Sequence, residues 1–197
     1  PEVILQFGYP PASKVTAQWI SASGATQIQV QASDAWIDPA HQLAVRVVCD
    51  PAALCEALDG QLRGASNTPW LARWRRAEAR AQATIDVALE EIGALCDPSV
   101  SRLVTRTVPD GTQLVVSSSM PVRDLEWFGA ARSGLTVHAN RGANGIDGIV
   151  STAIGVALGS KRPTVFLIGD LAFVHDSSAL VALARRELDL TIVVTDN

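Results

Sequence analysis

The 197 residues carry 16 Lys plus Arg against 20 Asp plus Glu, a formal charge of −4, and 48% of them are hydrophobic. A net-acidic chain with no long Lys/Arg run excludes a nucleic-acid groove binder, no apolar run approaches the roughly 20 residues that span a bilayer, and the length suits one large domain or two small ones. Three cysteines, Cys49, Cys55 and Cys96, with no CxxC spacing speak against a zinc ribbon or a disulfide framework and fit a reducing, cytoplasmic setting.

The chain opens without Met or a basic leader, directly on the strand-like stretch "VILQF" at residues 3 to 7, and stops three residues after another apolar run. It therefore reads as a segment of a longer protein, incomplete at both ends. Further Val/Ile/Leu-rich runs lie at 43 to 49, 113 to 117, 164 to 168 and 190 to 194, with weaker ones at 28 to 32 and 135 to 139. Between them stand stretches of helical period, "SKVTAQWISAS", "PAALCEALDGQ" and "DSSALVALARRE". The fold class is α/β. Strands alternating with helices imply largely parallel sheets, and continuous apolar strands imply sheets covered on both faces, a three-layer arrangement. The domain boundary falls in "DGQLRGASNTP", residues 59 to 69, where turn-forming residues cluster, giving domains over 1 to 65 and 66 to 197. Residues 70 to 95 predict one long helix, with "RWRRAEAR" on its solvated face, ended near Pro98.

In open α/β sheets ligands bind beyond the carboxyl ends of the strands, so candidate functional residues sit just after the apolar runs. "QLVVSSSMPVRD" supplies Ser118, Ser119 and Arg123; "LTVHANRGANGIDG" supplies Asn140, Arg141 and a Gly-rich turn into a helix; "TVFLIGD" ends in Gly169 and Asp170; "LTIVVTDN" ends in Asp196 and Asn197. Each has a second reading as a turn and helix cap. The spacing of Asp170 and Asn197 leaves room for one helix and one strand, which makes them ends of consecutive parallel strands. Their carboxylate and amide oxygens are hard ligands of the kind Mg²⁺ takes together with phosphate oxygens. The helix N-termini after Asp170 and after "RGANGIDG" would offer further N–H groups to an anion.

"GD" followed by "DN" resembles the thiamine-diphosphate motif, usually GDG and later NN, with Leu171 in place of the last Gly and Asp196 in place of the first Asn. Within that superfamily, "NRGANGIDGIVSTAIGVALG" and "GDLAFVHDSSAL" resemble the 2-succinyl-5-enolpyruvyl-6-hydroxy-3-cyclohexene-1-carboxylate synthase family of menaquinone biosynthesis, and "LQFGYPPASKVTAQWI" and "WIDPAHQ" resemble its middle domain. The resemblance implies a cytoplasmic, homodimeric or homotetrameric transferase using thiamine diphosphate and Mg²⁺, which decarboxylates 2-oxoglutarate and adds the product to isochorismate. It implies that this chain covers part of the middle domain and most of the diphosphate-binding domain, without the pyrimidine domain and its catalytic glutamate.

By the same resemblance, Asp170 and Asn197 are the metal ligands, and Ser118, Ile146, Gly169, Leu171 and the two ligands contact the cofactor, Ile146 as the apolar prop beneath it. Lys14, Ser119, Arg123 and Arg141 face the substrate carboxylates, a task suited to the planar guanidinium of arginine. His41, His138 and His175 read as structural. An acetolactate synthase, a 2-oxoacid decarboxylase or a non-catalytic α/β binding module are the alternatives; "GDL" and "NRGANGIDG" speak against the other enzymes.

Overall fold

The computed structural model describes residues 1–11, 13–59, 61, 68–140 and 145–196. The chain forms two compact units, Pro1–Asn67 and Thr68–Asn197.

The first unit contains β1 (Val3–Phe7), α1 (Lys14–Ala22), β2 (Thr26–Gln31), β3 (Leu43–Val48) and α2 (Pro51–Asp59). Its three strands are parallel in the order β1-β2-β3. β2, which shows only a weak apolar signal in the sequence, is the central strand. Gln27, Gln29 and Gln31 alternate with Ile28 and Val30, so one face is amide rather than hydrocarbon, and Gln29 donates from Nε2 to the Gly8 carbonyl at 3.2 Å.

The second unit comprises α3 (Thr68–Ile92), α4 (Asp97–Thr107), β4 (Gln113–Val116), α5 (Met120–Phe128), β5 (Thr136–Ala139), α6 (Ile149–Ser160), β6 (Thr164–Gly169), α7 (Asp170–His175), a 3₁₀ helix (Ser177–Arg185) and β7 (Leu190–Thr195). All strand pairs are parallel, in the order β5-β4-β6-β7. All four residues of β4 are buried, as a strand covered on both faces requires. Period-2 alternation divides them: Val115, Phe166 and Ile168 face a core shared with Ile149, Val150, Ala153 and Ile154 of α6 and Ala172 of α7, while Leu114 and Val116 face Val104 of α4 and Val122 and Leu125 of α5. The result is three layers, helix on sheet on helix.

Three helical expectations change. The long helix ends at Ile92, before Gly93 at φ +64°, and Pro98 opens a separate helix, α4, from its first turn. Pro lacks the N–H that a first turn does not need, so it starts a helix as readily as it stops one. Pro121 does the same for α5. The periodic stretch 176 to 187 is not an α-helix; it winds as the 3₁₀ helix, with Ala179, Leu180 and Leu183 against the core.

Candidate cofactor and metal site

Because every strand of the second sheet is parallel, all four carboxyl ends lie along one edge. Across it stand Asn140 after β5, Ser117 after β4, Asp170 after β6 and Asp196 after β7. β4 leads into α5 on one face of the sheet and β6 into α7 on the other, so the neighbouring ends of β4 and β6 diverge and leave a crevice, the place where open α/β sheets bind ligands. Gly169 is the register partner of Thr195, which sets Asp170 and Asp196 at the same level just past the ends of adjacent strands. Asp170 is half-buried and Asp196 exposed.

The β4 end is held by hydrogen bonds to its neighbours. The Ser117 amide donates to the Leu167 carbonyl at 2.9 Å, and the Ser118 hydroxyl donates to the Asn140 carbonyl at 3.0 Å. Asn140 donates in turn from Nδ2 to Thr152 Oγ1 at 3.0 Å, tying the edge to α6. Ser117 is fully buried, and its hydroxyl has no partner among the described residues. Ser119 caps α5 with φ +75° and ψ −130°, a backbone that favours glycine. Its carbonyl accepts from Arg123 Nη1 at 2.7 Å, which folds the exposed guanidinium back over the start of α5. One turn on, Asp124 is buried at 2% exposure; burial, aided by the charge of Asp97, pushes its carboxyl above the ordinary value of 3.8.

On the other side of the crevice, the Gly145–Gly148 turn carries Ile146 into α6. Ile146 is half-buried and packs on the core of β4, β6 and α6. The α6 N-terminus is not open to an anion as its position suggests. A single oxygen of Asp176, Oδ2, accepts from Val150 N at 2.8 Å and Ser151 N at 3.0 Å. The preceding residue, His175, places Nε2 2.5 Å from Asp147 Oδ1 in the same turn. This capping carboxylate is invisible to local pattern because it comes from about one helix and one strand further along the chain.

Of the residues singled out in the sequence, the structure brings Ser118, Ser119, Arg123, Gly169, Asp170 and Leu171 to this edge, with Ile146 on the turn into α6; Leu171 is 76% exposed. Lys14 opens α1 of the first unit and is exposed. Arg141 and Asn197 lie outside the described residues. His138 lies within hydrogen-bond distance of Gln113 Oε1, 2.8 Å from its Nε2, and has a structural partner there. Among the described residues no cluster of three His, Cys, Asp or Glu side chains is present, and no helix is long and apolar enough to cross a membrane.

Residues 125–197 match the family model described as the C-terminal TPP binding domain of thiamine pyrophosphate enzymes. The whole chain aligns with proteins named 2-succinyl-5-enolpyruvyl-6-hydroxy-3-cyclohexene-1-carboxylate synthase: one from Myxococcus xanthus at 42% identity and one from Rubrobacter xylanophilus at 41%, each with 34% of its length covered. A third, from Halobacterium salinarum, is 38% identical with 33% covered. The chain thus spans about a third of the length of the curated relatives it matches, and over that span it is similar to proteins named 2-succinyl-5-enolpyruvyl-6-hydroxy-3-cyclohexene-1-carboxylate synthase, with the C-terminal TPP binding domain of thiamine pyrophosphate enzymes matched over residues 125–197.

Proposed function

We propose that this chain supplies the metal- and diphosphate-binding wall of a cytoplasmic thiamine-diphosphate-dependent transferase that decarboxylates 2-oxoglutarate and joins the product to isochorismate, acting as a homodimer or homotetramer of chains of the relatives' full length. The observation that carries the reading is the register of β6 on β7, which sets Asp170 level with Asp196, the residue that precedes Asn197 in the sequence. The residues present fit the group. A half-buried carboxylate at a strand end, with no cluster of three acidic, thiol or imidazole side chains among the described residues, is a donor set that leaves the remaining positions of a hard cation to phosphate, carbonyl and water oxygens, as Mg²⁺ prefers. The unpartnered buried hydroxyl of Ser117 marks the same edge as one whose hydrogen bonding is incomplete.

In this reading Asp170 and Asn197 hold Mg²⁺, and Gly169, Leu171 and Ser118 border the diphosphate. When bound, the cofactor supplies the electron sink that makes loss of CO₂ from a 2-oxoacid possible. The chain's own residues do the rest. Ile146 supports the cofactor from the turn before α6, and Arg123, Arg141, Lys14 and Ser119 bind the carboxylates of two polyanionic substrates. Swinging out to a substrate would require Arg123 to exchange the Ser119 carbonyl for a carboxylate, which replaces a hydrogen bond to a neutral acceptor with one to an anion.

The test is Asp170→Ala in the full-length protein. Titration with thiamine diphosphate at fixed Mg²⁺ is expected to show affinity lowered at least tenfold to a hundredfold, about 1.5 to 3 kcal/mol for a lost contact to a charged group, with the fold unchanged by circular dichroism. Unaltered Mg²⁺-dependent affinity would remove Asp170 from the metal site.

A further inference from the structure

We infer that Asp176 is a positioning residue and that α7 works as a spacer, registering the Asp170 end of the site against the turn that carries Ile146. The inference rests on the reading of Asp170 as metal ligand and Ile146 as cofactor support.

Helix α6 has no cap of its own. Its N-cap is Gly148 at φ +67°, with no side chain to satisfy the first N–H groups. A Ser, Asp or Asn there would stabilise the helix locally and leave its position relative to other elements unconstrained. Instead the cap is Asp176, reaching Val150 N and Ser151 N from a distant point in the sequence. A remote cap satisfies the same donors and also fixes where α6 starts relative to the element that supplies the carboxylate. The contact between His175 and Asp147 adds a second point on the same turn, between Ile146 and the helix it precedes.

The element that supplies the carboxylate is short and firmly seated. α7 begins at Asp170, ends at His175, and has Asp176 as its C-cap, whose amide donates to the Ala172 carbonyl at 3.3 Å. Ala172, at 6% exposure, and Phe173 pack into the core, while Leu171 and Val174 face outward. Six residue steps at about 1.5 Å each separate Asp170 from Asp176 by roughly 9 Å along the axis. One small rigid piece therefore carries the metal ligand at its start and grips the Ile146 turn at its end. A cofactor held by its diphosphate at one end and propped at its ring must have both supports in register, and α7 sets that register.

The experiment uses the full-length protein with Asp176→Asn, which keeps the side-chain shape and loses its charge, and Asp176→Ala, which removes it. Amide hydrogen exchange is measured without cofactor, thiamine diphosphate affinity by tryptophan fluorescence in the presence of Mg²⁺, and turnover at saturating cofactor. The expected result is exchange at Val150 and Ser151 accelerated tenfold or more, affinity changed by less than about threefold, and turnover lowered roughly tenfold to a hundredfold, as small misplacements of a reacting group cost, with the Asn variant intermediate. Unchanged turnover despite deprotected amides would overturn the proposal, as would affinity, turnover and thermal stability falling together, the mark of a purely structural cap. If the Ala variant does not fold, the Asn variant carries the same comparison. A wild-type protein that fails to bind thiamine diphosphate would sink the proposed function itself and this inference with it; a failure of the inference alone shows only in the variants.

Discussion

Ser119 combines a strained backbone with a place at the candidate site. A non-glycine residue at φ +75° and ψ −130° costs on the order of 1 kcal/mol or more, and such residues persist where the surroundings hold them for a purpose. Ser119→Gly is expected to stabilise the protein by roughly 0.5 to 1 kcal/mol while raising the KM for an anionic substrate about tenfold or more, the worth of one hydrogen bond to a charged group. Denaturant midpoints and steady-state kinetics read the two effects separately. A variant that loses stability would show that the backbone there is not strained. The serine run was legible as a strand end because the apolar β4 stops just before it. Its strain was not legible, since φ follows from how β4 meets α5 and the three serines read alike.

Among elements, α3 is pinned to α4 by charge rather than hydrocarbon. Arg102, its side chain 5% exposed, donates from Nε to Asp86 at 3.0 Å and from Nη1 to Gln82 of α3, and Arg106 reaches the other oxygen of Asp86 at 2.6 Å. The hydrogen bond from Arg102, reinforced by Arg106, holds the Asp86 carboxyl below its ordinary value of 3.8. A folded value below the unfolded one contributes stability that is complete above about pH 4 and is lost as pH falls through the lowered folded value. Asp86→Asn should therefore lower the urea midpoint at pH 7, and the gap to wild type should close as pH is taken down through that range. A gap independent of pH would mean that the pair's charge is not what holds the helices together.

The same scale separates what pattern reveals from what it hides. β6 and β7 were legible because strands buried on both faces give unbroken apolar runs, and their adjacency followed from a spacer just long enough for one crossover. α4 and α5 were not, because Pro98 and Pro121 signal a helix stop or a helix start equally well and only the chain beyond them decides. The Asp176 cap on α6 was out of reach for another reason: no local rule links residues that meet only after a crossover.

For the molecule as a whole, the chain spans about a third of its relatives, and one side of a cofactor site holds its ligand poorly. These 197 residues alone are expected to show no saturable binding of thiamine diphosphate with Mg²⁺. Trp127, 54% exposed on α5, provides the fluorescence signal for the titration, with the full-length protein as control. Micromolar binding lost on Asp170→Ala would mean that this wall suffices by itself.

The strand order also has a meaning in time. β4 is the first strand of its sheet to be made and one of its two central ones, yet Gln113 pairs with Thr164, about fifty residues further along; at roughly 5 to 20 residues per second the ribosome takes some 3 to 10 s to deliver that partner. For those seconds Leu114, Val115 and Val116 are newly synthesised hydrocarbon with one sheet edge uncovered. The nascent chain therefore has its period of greatest need for a chaperone between the emergence of β4 and that of β6, and a pause in translation within α6 would lengthen it.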